Sequence, residues 1–427
     1  MNDTKRMQLR PGVWLRWVQT EKFKSSFLSL NLMAPLKEET AAANALLPSV
    51  LRRGSVGHPD MQRITAALDN LYGGMIEPVV RKKGETQCVG FVTSFLDDAF
   101  TPDRSKTLEP MAALLGELLL HPVLERGVFS AEYVTGELEN LQSRIAAQIN
   151  DKRRYAMQRL AAVMCEGEAF GVDRLGSAES AAAITPEGLW RRYRELLCEC
   201  EIELFYCGSA PLERVCQALN CALKDLPEGN DRTQPDCEVR LHAPREPRLA
   251  EEAMNVTQGK LAMGFRTGGV TVWEQEYPAL LMLNAIFGGT TMSKLFMNVR
   301  EKLSLCYYAS SMLEKMKGLL MVSSGIEFEK YRQARDEILR QLEAVRQGEI
   351  EPGELEGARR IVISALMTTL DAQDQMEEFW LGQAAAGLDT GIDWLARQLE
   401  AVTKEQVVKV AHSMELDTIY FLKGQEG

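Results

Sequence analysis

The chain has 427 residues, 45% of them apolar and 26% charged, a length that exceeds one ordinary core and suits two or more soluble domains. Its formal net charge is −11, with a pI near 5.2, which argues against nucleic acid or an anionic membrane surface as the main partner. No run of ~18 or more apolar residues occurs, the N-terminal "MNDTKRMQLRPGVWLRW" is charged throughout, and nine scattered cysteines include no CxxC pair, so reduced thiols, no membrane segment and a cytoplasmic location are expected.

The first strong element is "SSFLSLNLMA", residues 25–34, which reads as a strand. A helix follows in "ETAAANALLPSVLRRG", residues 39–54. "GELENLQSRI" begins at Gly136 in a further helical stretch, and "ITPEGLWRRYRELLCECEIELFYCG" ends at Gly208 as a capped helix and an apolar strand. Residues 224–252 are polar, proline-bearing and aperiodic, as a linker should be. The same series then returns. "GKLAMGFRTG" is strand-like, "EQEYPALLMLNAIFGG" is helical, and "GELEGARRIV" begins at Gly353. "VTKEQVVKVAHSMELDTIYFLKG", ending at Gly424, closes the series as a helix and a strand.

Two matches in one order, roughly 217 residues apart, indicate a duplicated unit rather than a solenoid. The expected division is 1–223, a linker over 224–252, and 253–427. Periodicities alternate between two and 3.6 residues within each half. That predicts an α+β fold of two homologous halves, each a mainly antiparallel sheet packed with helices, together forming a clamshell.

Arg300 precedes Tyr307 by nearly two helical turns, so on one helix both side chains would point the same way. A guanidinium presents a fixed fork of donors, and a phenol one directed donor. Together they suit a peptide carbonyl on which negative charge develops. Spacing alone also fits a solvated helix face above Leu295, Phe296, Val299 and Leu303. No phosphate loop is present, since "GGTT" lacks the lysine and its spacing. Only four histidines occur, His58, His121, His242 and His412, with no second histidine at helical spacing, and they read as neutral surface residues. Cys198 and Cys200 are expected to open a strand and face one side.

"NVTQGKLAMGFR" followed by "LNAIFGGTTMSKLFMNVREKLSLCYYASS" resembles the C-terminal half of the pitrilysin or insulinase-like zinc peptidases, the inverzincins. The resemblance covers essentially the whole chain. It includes the subunits of the mitochondrial processing peptidase and a bacterial branch of non-zinc chains named for association with elongation factor P modification. It implies that Arg300 and Tyr307 bind the substrate backbone near the scissile bond. It also implies a His-x-x-Glu-His motif on the first helix, with two zinc ligands and a general base. The motif positions here are Ala45, Leu46, Leu47, Pro48 and Ser49. Arg144 falls about where the third ligand should stand, and Glu137 where a carboxylate behind the ligands would be. Pro48 is expected to kink that helix or begin a shortened one.

The degenerate positions Ala45, Pro48, Ser49 and Arg144 imply no catalytic zinc in this chain and no activity alone. The retained Arg300 and Tyr307 imply a substrate-binding subunit of a heterodimeric metallopeptidase, whose paralogous partner carries zinc. The other readings are a pseudoenzyme scaffold that binds a protein or peptide for another reaction, and a peptide-binding homodimer. Two departures from the family pattern bear on peptide binding. Leu303 and Ser304 stand where relatives often have Arg-Gly. Glu77 stands where active relatives tend to have Asn on the strand that takes peptide as an added strand.

Overall fold

The computed structural model describes residues 3–229, 232 and 235–425. Residues 230, 231, 233 and 234 of the expected linker, and the two residues at each chain end, lie outside the described residues. The first half of the chain runs β1 (Asp3–Arg10), β2 (Val13–Gln19), β3 (Ser25–Pro35), α1 (Glu38–Leu51), α2 (Met61–Asp69), β4 (Met75–Lys83), β5 (Thr86–Leu96) and α3 (Leu108–Leu120). A short hairpin, β6 (Leu124–Glu125) and β7 (Val128–Phe129), leads to α4 (Ala131–Ala147), α5 (Lys152–Met164), α6 (Ala178–Ala182), α7 (Pro186–Glu199), β8 (Glu201–Gly208) and α8 (Leu212–Ala222). The second half runs β9 (Arg248–Met254), β10 (Gly259–Arg266), α9 (Tyr277–Asn284), β11 (Cys306–Glu314), β12 (Leu319–Ile326), α10 (Tyr331–Arg346) and α11 (Pro352–Thr368). It ends with α12 (Gln373–Ala385), α13 (Ile392–Glu400), α14 (Lys404–His412) and β13 (Glu415–Gly424). Among the described residues no helix is long and apolar enough to cross a membrane.

One sheet has the order β1-β2-β8-β3-β5-β4, the other β11-β12-β10-β13-β9. The expected α+β class holds. Pairing is antiparallel except for β2 with β8 and β13 with β9. These parallel pairs occupy the same place in each sheet, as duplication requires. The first sheet adds one strand, β1, in a hairpin with β2.

The compact units do not follow a single cut in the sequence. The first comprises residues 1–146, 172–236 and 372–389, and the second 147–171, 237–371 and 390–427. Residues 147–171 thus leave the first half for the second unit, and residues 372–389 make the reverse move. β9 also begins inside the expected linker.

The two faces of each sheet explain the exchange. In β3, Leu28, Leu30 and Leu32 join the main core of the first unit, while the alternate residues Ser29 and Asn31 bond to Glu377 of α12, at 2.9 and 3.2 Å. Gln373 donates to the carbonyls of Ser25 and Cys207, both at 2.9 Å. Arg16, from β2, lies 3.8 Å under the Trp380 ring and pairs with Asp389. Polar groups that a helix covers lose their water and need partners of this kind. In the second unit the covering helix is α5, whose Ala156 and Leu160 pack on Ala262, Met321, Tyr420 and Leu422. Gly264 of β10 leaves room for it, because a Cβ there would lie 2.5 Å from the Met164 sulfur.

Glu201, at the start of β8, is an incompletely compensated member of the polar face. It is 8% exposed, and its Oε2 has no hydrogen-bond partner. Burial raises its pKa against the pull of Arg6. A carboxyl raised in the folded state destabilises above its folded pKa and is neutral below its unfolded value. Glu201→Gln should therefore stabilise the protein by about 1 kcal/mol near neutral pH. Urea melts should show this gain fading as the pH is lowered past the ordinary carboxylate range.

Candidate functional site

The motif helix α1 starts with Glu38 and Glu39, which suit the positive end of the helix dipole, and continues through an alanine-rich run. It extends past Pro48 to Leu51, so the proline does not begin a shortened helix. Pro48 has no amide to give to the carbonyl of Asn44, a defect of about 3 kcal/mol in an isolated helix. Tertiary bonds hold the helix instead. The buried Asn44 side chain donates to Gln87 and accepts from Arg192 Nε, both at 2.8 Å. Gln87 in turn donates to the Ala41 carbonyl at 2.9 Å.

Ala45 and Pro48 are buried and Ser49 is half-buried. Arg144 lies exposed in the last turn of α4. This set does not fit zinc. Alanine and proline side chains offer no lone pair, a serine hydroxyl is outside the usual ligand set, and arginine is a permanent cation. Among the described residues, no group of three or more His, Cys, Asp or Glu side chains comes together to hold a metal. His58, His121 and His242 each face one carboxylate, Glu117, Asp225 and Glu415, at 3.1–3.3 Å. Cys198 and Cys200 do not share a strand face. Cys198 lies on α7 and Cys200 is its C-cap, because β8 starts only at Glu201.

β4 is an edge strand of its sheet, as the resemblance implies. Its edge is partly closed. Arg52 Nε donates to the Ile76 carbonyl at 2.6 Å and its Nη2 lies 3.5 Å from Glu77. Pro78, next along the strand, has no amide hydrogen to offer an added strand.

Arg300 and Tyr307 lie in the second unit, on different elements. After α9 the chain makes a π-helical turn, Ala285–Gly289, and a second π-helical segment, Leu295–Lys302, carries Arg300. Gly288 is required here, since a Cβ would lie 2.7 Å from Leu295 Cδ1 and Ser311 Oγ. Ser311 also bonds to Asn284 Oδ1 at 2.7 Å, and Asn298 to Gln341 of α10 at 2.8 Å. These contacts fix the segment on both sides. The Arg300 side chain is 40% exposed, 3.6 Å from Glu301, and its guanidinium lies 4.6 Å above the Phe296 ring.

The helical reading of the Arg-to-Tyr spacing fails at Ser304. The segment ends in wide turns, with Leu303 N on Asn298 O at 3.1 Å and Leu305 N on Val299 O at 3.0 Å. Ser304 then adopts φ +49°. Tyr307 sits beyond it on β11, where pairing to β12 jumps between Cys306 and Tyr308. It is thus the extra residue of a β-bulge, 59% exposed, and a bulge is a common way to re-aim one side chain. Glycine would suit that φ better than serine. Ser304→Gly should raise stability by about 1 kcal/mol, read as a higher melting temperature.

Sequence reasoning missed the buried carboxylates Glu168 and Glu377, which carry the exchanged segments. It also missed Arg53, which bonds to Glu137 at 3.2 Å.

Residues 183–362 match the family model described as the peptidase M16 inactive domain. The chain is 36% identical to a probable inactive metalloprotease of Bacillus subtilis over 97% of both chains. A shorter similarity, 26% over 160 residues, covers 37% of this chain and 39% of an uncharacterized zinc protease of the same organism. A conserved protein of Enterococcus faecalis has a similar structure, with TM-score 0.90, 27% identity and 99% of each chain covered. A peptidase M16 inactive domain from Pseudomonas fluorescens shares the fold at TM-score 0.78 and 17% identity, covering 100% of this chain and 99% of that one.

Proposed function

The chain belongs to the peptidase M16 family, and from that premise we propose that it is a non-catalytic, substrate-binding subunit of a heterodimeric zinc peptidase. Its partner would be a paralogous chain that carries the intact zinc motif. Arg300 and Tyr307 would hold the peptide backbone at the partner's metal, where they stabilise charge on the scissile carbonyl. The observation that carries the reading is an asymmetry of retention. Positions 45, 48, 49 and 144 carry no metal chemistry, while both donors persist in exposed positions on braced elements. The name of the Bacillus subtilis relative, a probable inactive metalloprotease, supports the first half of that statement.

The test is reconstitution. The chain is purified alone, its zinc-motif paralogue alone, and the two together, and each sample is assayed on a peptide library. Cleavage confined to the mixture, at one-to-one stoichiometry, is the expected result. Cleavage by the paralogue that this chain neither binds nor alters would overturn the reading and leave the scaffold role. A native mass of twice this chain, with no affinity for the paralogue, would instead favour a homodimer.

A further inference from the structure

The strand that carries Tyr307 also builds a cationic corner beside it. Lys260 of β10 and Tyr308 of β11 both pair with Gly325 of β12, so the three form one row on one face of the sheet. It is the face that α5 covers at Ala262, two residues along from Lys260. Gly325 lets the row close up, since a Cβ there would lie 2.4 Å from the Tyr308 ring. Lys260 Nζ is 5.8 Å from the centre of that ring. The Arg153 guanidinium is 4.3 Å from the same centre and donates to Ser310 Oγ at 2.9 Å. The Tyr308 hydroxyl is buried without a hydrogen-bond partner; burial raises its pKa, opposed in part by the nearby Ser323 hydroxyl. Arg300 stands near the start of the same strand: burial raises the Cys306 pKa, and the Arg300 charge opposes this.

The chain carries a net charge of −11, so carboxylates are plentiful. Yet among the described residues the polar contacts of Arg153 and Lys260 are with neutral groups, Ser310 and Gln258. Burial and the Arg153 charge lower the Lys260 pKa, against the pull of Asp151. The Asp151 carboxylate is committed to the Arg154 amide, 3.0 Å away, as the N-cap of α5. Lys152, Arg153 and Arg154 open that helix, at the positive end of its dipole, where cations are disfavoured. Stacking on Tyr308 accounts for Arg153 but not for Lys260 beside it. We propose that Arg153, Lys260 and the Tyr308 hydroxyl form an anion subsite that takes a carboxylate of the bound peptide, from an acidic side chain or from the C-terminus. Arg153 presents a fork of donors and Lys260 a point charge, and the carboxylate gives the phenol the acceptor it lacks. A backbone held by Tyr307 comes within a residue or two of the subsite, since adjacent Cα atoms are about 3.8 Å apart. The inference rests on the peptide-binding role proposed for Arg300 and Tyr307, and not on the partner subunit.

The experiment is fluorescence anisotropy on the full chain, alone and mixed with its zinc-motif paralogue. The probes are matched pools of labelled short peptides that contain Asp and Glu, or Asn and Gln in their place, each with a free or an amidated C-terminus. At least one carboxylate-bearing pool should bind about tenfold tighter than the pool with neither carboxylate. A preference set by Asp and Glu assigns the side chain as the ligand, and one set by the free end assigns the C-terminus. Arg153→Met and Lys260→Met should each remove most of the preference, and Lys260→Arg should keep it. Tyr308→Phe, which deletes a hydroxyl with no partner in the fold, should weaken the preference about threefold without lowering the melting temperature. Equal binding of all pools in both samples would overturn the proposal while leaving the heterodimer reading intact. So would a preference that survives Arg153→Met, Lys260→Met and Tyr308→Phe. A preference shown by this chain with no affinity for the paralogue would uphold the subsite and remove the heterodimer.

Discussion

Replacement of Glu168 by alanine is expected to destabilise the second unit by about 3–5 kcal/mol, the cost of breaking a buried ion pair from one side. Glu168 lies just past α5, on the exchanged segment, with its side chain fully buried. Arg266 Nη2 and Lys317 Nζ each approach it at 2.7 Å, and Arg240 Nε at 3.4 Å. Arg266 also bonds to Asp417 at 2.9 Å and to the Met164 carbonyl at 3.0 Å. Removal of the one glutamate leaves two buried cations facing one aspartate. Burial alone would raise the Glu168 pKa, but the bonds from Arg266 and Lys317 lower it. Its contribution is therefore complete above the unfolded carboxylate pKa and is lost as the pH falls through the lower, folded value. Denaturant melts of Glu168→Ala and of the isosteric Glu168→Gln should both show a large deficit at neutral pH. For the glutamine variant, that deficit should shrink in acid.

The second large effect concerns catalysis in the heterodimer that we propose. Arg300→Ala should lower kcat by about 10²–10³-fold, the range for removal of one donor to a developing oxyanion. Tyr307→Phe, which loses only a hydroxyl, should cost less. The melting temperature of this subunit should barely move, because both side chains are substantially exposed. Zinc bound to the partner should not change either. A kcat left intact by both substitutions, with cleavage still dependent on this chain, would assign it a scaffold role.

Much of the fold was legible because duplication preserved the order of elements. The strand at residues 25–34, its repeat at 259–268, and the helix–strand pairs that end each series all occur where their periodicity places them. The exchange of α5 and α12 was not legible. Ser29, Asn31 and Glu377 look like solvated positions in sequence, and only tertiary contact makes them a buried joint. Gly264 in the middle of a strand was the one local sign that something packs closely there. At the candidate site, residue types were readable but geometry was not. The seven-residue spacing suggested one helix, whereas the left-handed turn at Ser304 and the bulge at Tyr307 place the pair on a helix end and a strand. Arg53 passed unnoticed because a cation after a helix is ordinary. Only the fold brings it to Glu137, as it brings Lys294 to Glu354 in the other repeat.

The most direct test of the whole account is the zinc content and peptidase activity of this chain, purified alone after growth with ample zinc. The account predicts far less than one zinc per chain and no hydrolysis of any peptide that the mixture with its paralogue cleaves. One tightly held zinc per chain, with hydrolysis abolished by a chelator and restored by zinc, would contradict it.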